Sequence, residues 1–550
     1  MPRLPFLFPA LLLFCAVNFT STPVIGNERT NRPMDPDLQE FMLDQQKELE
    51  DFDQEIDQEY QTFIDENDRD FAVFLKEAWE EFDSEEPVKV IKQPKPDIVP
   101  QLVTPPVGTD KQPTPEPIRI VVNTPPVETK PATIRPVSQE PAPPTPAPPK
   151  PVSIPQPEAS VLTPSQVPIP AAPVIPAAPG PDPTASGSPL SFDYFGTEMH
   201  LRFDPRLSRG ITPPINNDSI SRYWEAIAGT AFKPYIEQTL RYRDTLRLND
   251  WGYLLLLDKS AAEILDDPSP NNRALFTWFM MTKAGYDCKV GFRDDTITTL
   301  MPAQSQLYGL FYFTIKNKKY YSVNLGPQGD KIGKIYTYRA SYPGAETNLD
   351  FALPSYPSLK NDPAIRKLSF DYQGKEYSIK ANYNKNSIPY FQYYPQNEVG
   401  VYADAQVPDL VKGSLLAELK PLIQDRPEAE AVNLLLRFTQ TAFNYQTDDD
   451  QFHREKFLFP EETLFYPYSD CEDRSILFSY LVRNLLGLDV VLLNYPNHIA
   501  TAVRLKENHD GDQIIVNGKP YTICDPTYIN AELGHAMPQF REVTPKVITL

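Results

Sequence analysis

The stretch SDCEDRSILFSYLVRNLLGLDVVLL, residues 469–493, reads as a helix followed by a strand, and that reading decides the fold. Ile476, Leu477, Tyr480, Leu481 and Leu485 recur at steps of three and four, the spacing of one apolar helix face. Gly487 stands where a helix can stop in the left-handed region. Asp470 and Asp473 are placed to cap the N-terminus, which puts Cys471 in the first turn. Unpaired N–H groups and the helix dipole favour an anion there, so the position predicts a thiol with a lowered pKa.

A thiolate nucleophile needs a base and later a proton donor. His498 opens HIATAVRL (498–505), a strand-like run entered through the turn at 495–497. The next strand, in KPYTICDPT (519–527), ends at Asp525, where Pro526 stops the ladder. With NHDGDQIIVNGK between them, the two strands are expected to be adjacent and antiparallel. Asp525 could then hold the second imidazole nitrogen, as the third member of a triad does. Each residue also has a plainer reading: Cys471 as packing or as a disulfide partner of Cys524, His498 as a cap, Asp525 as a turn signal. Cys524 should project from the strand face opposite Asp525, which counts against the disulfide.

In order and local sequence, SDCEDRSILFSYLVRNLLGLDVVLL, NHIATAVRL and ICDPTYIN resemble the transglutaminase-like superfamily of papain-type cysteine enzymes, over roughly residues 430–530. EAEAVNLLLRFTQTAFNY (428–445) is similar to the helix that precedes the nucleophile in that family. The resemblance implies an α+β, papain-like core of a helix packed on an antiparallel sheet. It also implies Cys471 as nucleophile, His498 as general base then acid, and Asp525 as the orienting acid. Ile499 departs from relatives that follow the histidine with alanine or an aromatic. No calcium-binding cluster is expected beside the core, which points to bacterial, protease-like members and to neither metal nor cofactor. The expected activity is peptide or amide cleavage through a Cys471 thioester; amine transfer and a non-catalytic binding scaffold are the alternatives. The expected partner is a protein or peptide substrate, cell-wall peptide included.

The rest of the chain divides by composition. Residues 4–17, LPFLFPALLLFCAV, follow Arg3 and have the length of a signal peptide's apolar region, too short to span a bilayer. A leader over 1–26, cleaved between 18 and 30, predicts an exported protein, periplasmic or at the cell surface; Phe14 argues against a lipid anchor on Cys15. Of the formal charge of −21, residues 35–86 carry −18, from 21 Asp and Glu against 3 Lys and Arg. The remainder is near neutral, so no basic patch points to nucleic acid. Leu49, Phe52, Ile56, Tyr60 and Phe63, then Phe71, Phe74, Leu75, Trp79 and Phe82, mark an acidic amphipathic segment over 35–86, one helix or a hairpin broken near Asn67. Residues 87–190 hold 31 of the 61 prolines. They read as a disordered, extended spacer reaching roughly 300 Å at ~3.1 Å per residue.

From 191 the chain turns globular, with domains expected over 191–360 and 428–550 and a β-rich connection over 361–427. NNRALFTWFMMTKAGYDCKV (271–290) parallels DRSILFSYLVRNLLGLDVV (473–491) at an offset of 202, a weak internal repeat. That offset sets Ser269 opposite Cys471, and the match of NKKYYSVNL (317–325) with NGKPYTICDPT (517–527), at an offset near 200, sets Asn324–Leu325 opposite Cys524–Asp525; with His200 far upstream, the first copy is expected to be inert. RKLSFDYQGKEYSIKANY (366–383) alternates around Gln373–Gly374 as a hairpin. His453, His509 and His535 show no metal-ligand spacing.

Overall fold

Two six-stranded sheets, each preceded by a buried helix, dominate the chain. The computed structural model describes residues 36–89, 116–123, 186–323, 325 and 332–550; the leader over 1–26 and most of the proline-rich tract lie outside them. Among the described residues no helix is long and apolar enough to cross a membrane. The chain divides into two units, Met1–Ile64 and Asp65–Leu550.

Helix α1 runs without a break over Pro36–Glu77. The hairpin alternative broken near Asn67 is therefore not formed: no Gly or Pro stands there, and Asn in a helix interior costs only a fraction of a kcal/mol. In the first unit the exposed side chains of α1 include Phe52, Ile56 and Phe63. In the second unit its last turns are buried, with Phe71 and Leu75 in the core and Asp68 ion-paired to Lys283 at 2.8 Å. The helix also ends before residue 86, and the chain continues as strand β1 (Trp79–Asp83).

The tract expected to be wholly extended and unpaired holds a strand, β2 (Arg119–Val122), an apolar island flanked by prolines. After the hairpin β3 (Ser188–Tyr194) and β4 (Thr197–Phe203) come helices α2 (Asn217–Ala228), α3 (Lys233–Thr245), α4 (Asp250–Ile264) and α5 (Pro270–Lys283). Five strands follow: β5 (Lys289–Arg293), β6 (Thr296–Met301), β7 (Tyr312–Ile315), β8 (Lys318–Ser322) and β9 (Lys334–Tyr338). With β1 they form an antiparallel sheet in the order β1-β9-β5-β6-β8-β7.

Strands β10 (Pro363–Tyr372) and β11 (Lys375–Asn384) form the hairpin expected around Gln373–Gly374. Both turn residues have positive φ, +55° and +72°, the type I′ geometry that matches strand twist. A helix over Glu428–Thr441 leads to β12 (Asn444–Tyr445), which pairs in parallel with β13 (Tyr468–Ser469) just before the Cys471–Leu486 helix. The last strands are β14 (Asp489–Tyr495), β15 (His498–Arg504), β16 (Gln513–Val516), β17 (Lys519–Cys524) and β18 (Lys546–Thr549). Their sheet runs β18-β14-β15-β17-β16-β2. Without the added edge strands, the two sheets have one strand order, with β9, β5, β6, β8 and β7 standing where β18, β14, β15, β17 and β16 stand. The protein is thus a mixed helix and antiparallel-sheet fold.

The Cys471 helix was expected to be amphipathic. Instead every residue from Cys471 to Val482 is buried, because the chain packs on it from several sides. Leu477, Phe478 and Leu481 join Leu435, Phe438, Val490 and Val503 in one apolar cluster, whereas Ile476, Leu492 and Ile499 belong to the core of the first half. Gly487 ends the helix at φ +65°.

Candidate active site

At the mouth of the Cys471 helix, the Asp470 carboxylate accepts from the Asp473 backbone N–H while the Asp473 carboxylate accepts from the Asp470 N–H. This capping box makes Cys471 the first helical residue. The Ser475 hydroxyl, one turn on, donates to the Ile499 carbonyl at 3.0 Å, which fixes the helix against the start of β15. The helix mouth and His498 are therefore brought to one place by the backbone of the residue next to His498.

His498 follows a two-residue turn in which Pro496 takes the first central position and Asn497 the second at φ +60°, a type II pattern. Its imidazole stacks on Phe540, with ring centroids 4.9 Å apart and planes 6° from parallel. Asp525 directly follows β17, whose residue Cys524 pairs with Thr501 of β15. The Asp525 Oδ2 lies 2.8 Å from His498 Nε2. Its Oδ1 accepts from the Thr527 N–H, the Thr527 hydroxyl and the Tyr528 N–H, so the carboxylate cannot turn away. The Gln440 amide holds the same turn through the carbonyls of Asp525, Tyr528 and Ala531. Burial pushes the Asp525 carboxyl up, but the His498 imidazole and the Thr527 donors outweigh it and hold its pKa below the ordinary value. With Nε2 engaged, Nδ1 is the nitrogen left for a thiol.

The thiol departs from expectation. The Cys471 S–H donates to Glu472 Oε2 at 2.8 Å, and the side chain is buried. Burial and the neighbouring Glu472 and Asp470 carboxylates push its pKa well above the ordinary value, overriding the helix dipole. None of Cys288, Cys471 and Cys524 is in a disulfide, so Cys471 and Cys524 are not bridged; Cys524 points into the apolar cluster beneath the helix.

Sequence reasoning missed the acids around this mouth. Asp448, Asp470 and Asp473 place carboxylate oxygens within 4.8 Å of one another, as do Asp448, Glu455 and Glu472. Burial first, and then mutual repulsion, raises the pKa of Asp448, Asp470 and Asp473 well above the ordinary value and that of Glu472 to about 7. The only signal was the charge density of DCED, taken as capping alone. An acidic set accompanies the core.

The first half lacks the triad, though in a different register from the one expected. Ser269 is the residue before α5, and Pro270 is its first helical position. At an offset of 202, Thr296 opens β6 as His498 opens β15, and Val323 follows β8 as Asp525 follows β17. Asn324 lies outside the described residues. Of the remaining histidines, His200 bonds Ser191 on the β3–β4 hairpin and His535 bonds the Glu532 carbonyl. His453 ends a short helix over Asp448–Phe452 in the left-handed region.

A buried acid near the site makes a pH prediction. Glu461, in the helix over Pro460–Phe465, accepts from the Tyr356 hydroxyl and the Asn384 N–H. Burial pushes its pKa up to about 7 against those bonds. A raised folded-state value stabilises fully below the unfolded value near 4.5 and is lost as pH climbs through about 7. Relative to wild type, Glu461→Gln should therefore gain about 3 kcal/mol of stability as pH rises from about 4.5 to about 8. Urea midpoints at the two pH values check this, and equal pH dependence in both proteins would refute it.

No protein-family model matches the chain, and no curated protein matches it.

Proposed function

We propose that the chain is an exported cysteine peptidase or amidase with a transglutaminase-like, papain-type core over residues 428–550, accompanied by an inert sister copy over 191–360. The observation that carries this reading is the His498–Asp525 pair at 2.8 Å, set at the start of a strand whose next carbonyl accepts from Ser475 of the helix that Cys471 opens.

In the reaction, the Cys471 S–H gives its proton to His498 Nδ1, and the thiolate attacks the carbonyl carbon of a peptide or amide. The carbonyl oxygen becomes an oxyanion that backbone N–H groups at the helix N-terminus can receive. The tetrahedral intermediate collapses as His498 passes its proton to the leaving amine, which gives a thioester. Water, deprotonated by His498, then attacks the thioester and releases the carboxylic acid and the thiol. Asp525 keeps the Nε2–H tautomer throughout and stabilises the imidazolium. Before any of this, the S–H must leave Glu472, so the described arrangement is a resting one.

The test is intact-mass labelling of the full chain with a peptide-based electrophile in wild type, Cys471→Ala and His498→Ala. Labelling of one thiol that disappears in both variants is expected. Labelling that persists at the wild-type rate in His498→Ala would remove the triad and favour the binding scaffold.

A further inference from the structure

Strand β2 is seated at the edge of the sheet that carries His498. It runs parallel to β16, with Arg119 opposite Gln513 and Val122 opposite Val516. The Gln513 N–H donates to the Ile118 carbonyl at 2.9 Å, and the Asn517 N–H to the Val122 carbonyl at 3.2 Å. Ile120 and Val122 turn onto the apolar cluster of that sheet, while Arg119 and Val121 alternate outward and are exposed. Among the described residues no strand pairs with the other side of β2. Two half-buried side chains and a few backbone bonds make it an element that can open by itself.

The residues just ahead of β2 are tied to the segment that lies on the imidazole. Asp512 Oδ1 accepts from the Ile118 N–H at 3.0 Å and from Arg541 Nη2 at 2.9 Å. The same Arg541 nitrogen donates to the Glu116 carbonyl at 2.5 Å, and Asp512 Oδ2 accepts from the Ala536 N–H at 3.0 Å. Asp512 is buried, so each donor it loses leaves an oxygen short of a partner. Phe540, the neighbour of Arg541, ends the short 3-10 helix Pro538–Phe540 and stacks on both His498 and Tyr495, with centroids 4.9 Å away in each case. Phe540, Ile120 and Val122 cover one apolar cluster, to which Tyr495, Ala500 and Ala536 belong. Ala500 stands two residues after His498, on the same face of β15.

We infer that the edge of β16 is a strand-binding groove whose occupation sets Phe540 on His498, with residues 116–122 as its built-in ligand and Arg541 and Phe540 as positioning residues. With the strand seated, Arg541 is held between the Glu116 carbonyl and the Asp512 carboxylate, and Phe540 lies flat against the imidazole. The phenyl ring keeps water from one face of His498 and limits how the imidazole turns about its bond to Asp525. With the strand out, Arg541 keeps one of its two anchors, Asp512 loses the Ile118 N–H, and Phe540 is released. The groove selects an extended peptide with an apolar residue at every second position: pairing along Gln513–Val516 supplies affinity and the apolar cluster supplies specificity. The effect on His498 is independent of the peptidase reading, whereas the effect on Cys471 rests on it.

The experiment compares, by NMR of isotope-labelled histidine, the wild-type full chain with one lacking residues 116–122. The five histidines give few resonances, and His498→Ala identifies the one that matters. Imidazole protons over the face of Phe540 are shielded by its ring current, so Phe540→Leu marks the unstacked position. The deletion is expected to move the His498 resonance downfield to that position, and Arg541→Ala to move it part of the way. The peptide EPIRIVVN (116–123), added in trans to the deletion chain, should return it. Electrophile labelling of Cys471 should fall by roughly tenfold to a hundredfold on deletion and recover with the peptide. If the deletion chain fails to fold, Val122→Asp unseats the strand by placing a charge on the apolar cluster, and tryptic cleavage after Arg119 reports the release. A wild-type resonance in the deletion chain, or in Val122→Asp once Arg119 is cleaved, would overturn the coupling. A shift that the peptide does not reverse would overturn the groove. A shifted resonance with labelling at the wild-type rate would overturn its control of the site. A wild-type chain that never labels at Cys471 would remove the peptidase reading instead, and the resonances alone would then decide the groove.

Discussion

Asp525→Asn is expected to slow electrophile labelling of Cys471 by roughly a hundredfold or more while leaving the fold in place. The amide oxygen can still take the Oδ1 role, accepting from Thr527 and Tyr528. That places the amide NH2 against His498 Nε2, where the carboxylate now sits at 2.8 Å. An NH2 group donates, so Nε2 must become the acceptor and the ring proton moves to Nδ1. The nitrogen facing the thiol is then protonated and cannot act as a base. The clamp on Oδ1 makes this a test of tautomer, because the substitution has no freedom to rotate the oxygen back towards the imidazole. Pseudo-first-order labelling rates measured by intact mass check it, beside urea curves showing an unchanged m-value. Labelling at the wild-type rate would sink the triad.

The second large effect is on stability. Arg474→Ala should cost about 3–5 kcal/mol. Arg474 is among the largest fully buried side chains, and its guanidinium bonds the Ser469 hydroxyl, the Gln440 carbonyl and the Phe443 carbonyl at 3.2, 3.1 and 2.9 Å. It thereby laces β12 and the end of the 428–441 helix to the Cys471 helix. Burial pulls its pKa down to about 10, still charged at neutral pH. A buried charge is costly, and exchanging an entire ion pair for apolar groups is often neutral. Here two of the three partners are backbone carbonyls that no substitution removes, so truncation leaves acceptors unsatisfied. It also takes a positive charge away from Asp470 and Asp473. Arg474→Lys should recover little, since a point charge cannot span three acceptors in separate directions. Urea unfolding at constant m-value measures it, and a loss below about 1 kcal/mol would show that the segment holds without the guanidinium.

Local patterns were legible in the sequence where the chain alone determines the structure. Gly487 needs a left-handed φ, Gln373–Gly374 makes a hairpin turn, and an Asp before Pro ends β17; each signal is complete within a few residues. The His498–Asp525 contact was legible because adjacent antiparallel strands bring a strand's first residue beside the residue that ends its neighbour. What could not be seen depends on who buries whom. The acids of DCED looked like surface caps, since nothing nearby announces that Asp448, twenty-odd residues upstream, is folded back onto them. The thiol's pKa direction was misread for the same reason: the helix dipole is local and visible, but burial and Glu472's orientation are tertiary. Phe540, which stacks on the imidazole, lies after the last motif in a stretch with no periodicity. The single helix through Asn67 was one of the two readings the spacing allowed, whereas the strand Arg119–Val122 was hidden by composition, because proline dominates its surroundings.

That short strand changes what the proline-rich tract can do. Ile120 and Val122 pack against the sheet that carries His498, and the Ile118 N–H donates to Asp512 Oδ1. On the N-terminal side, β1 is paired to β9 of the same unit. The chain leaves this unit after β1, returns to it at β2 and returns again at β3, so the tract is not a leash whose length sets a working radius. The cost of closing such an excursion grows only logarithmically, about 0.6 kcal/mol for each doubling. Insertions and deletions in the proline repeats should pass almost without thermodynamic consequence, whereas the five residues IRIVV (118–122) should tolerate little.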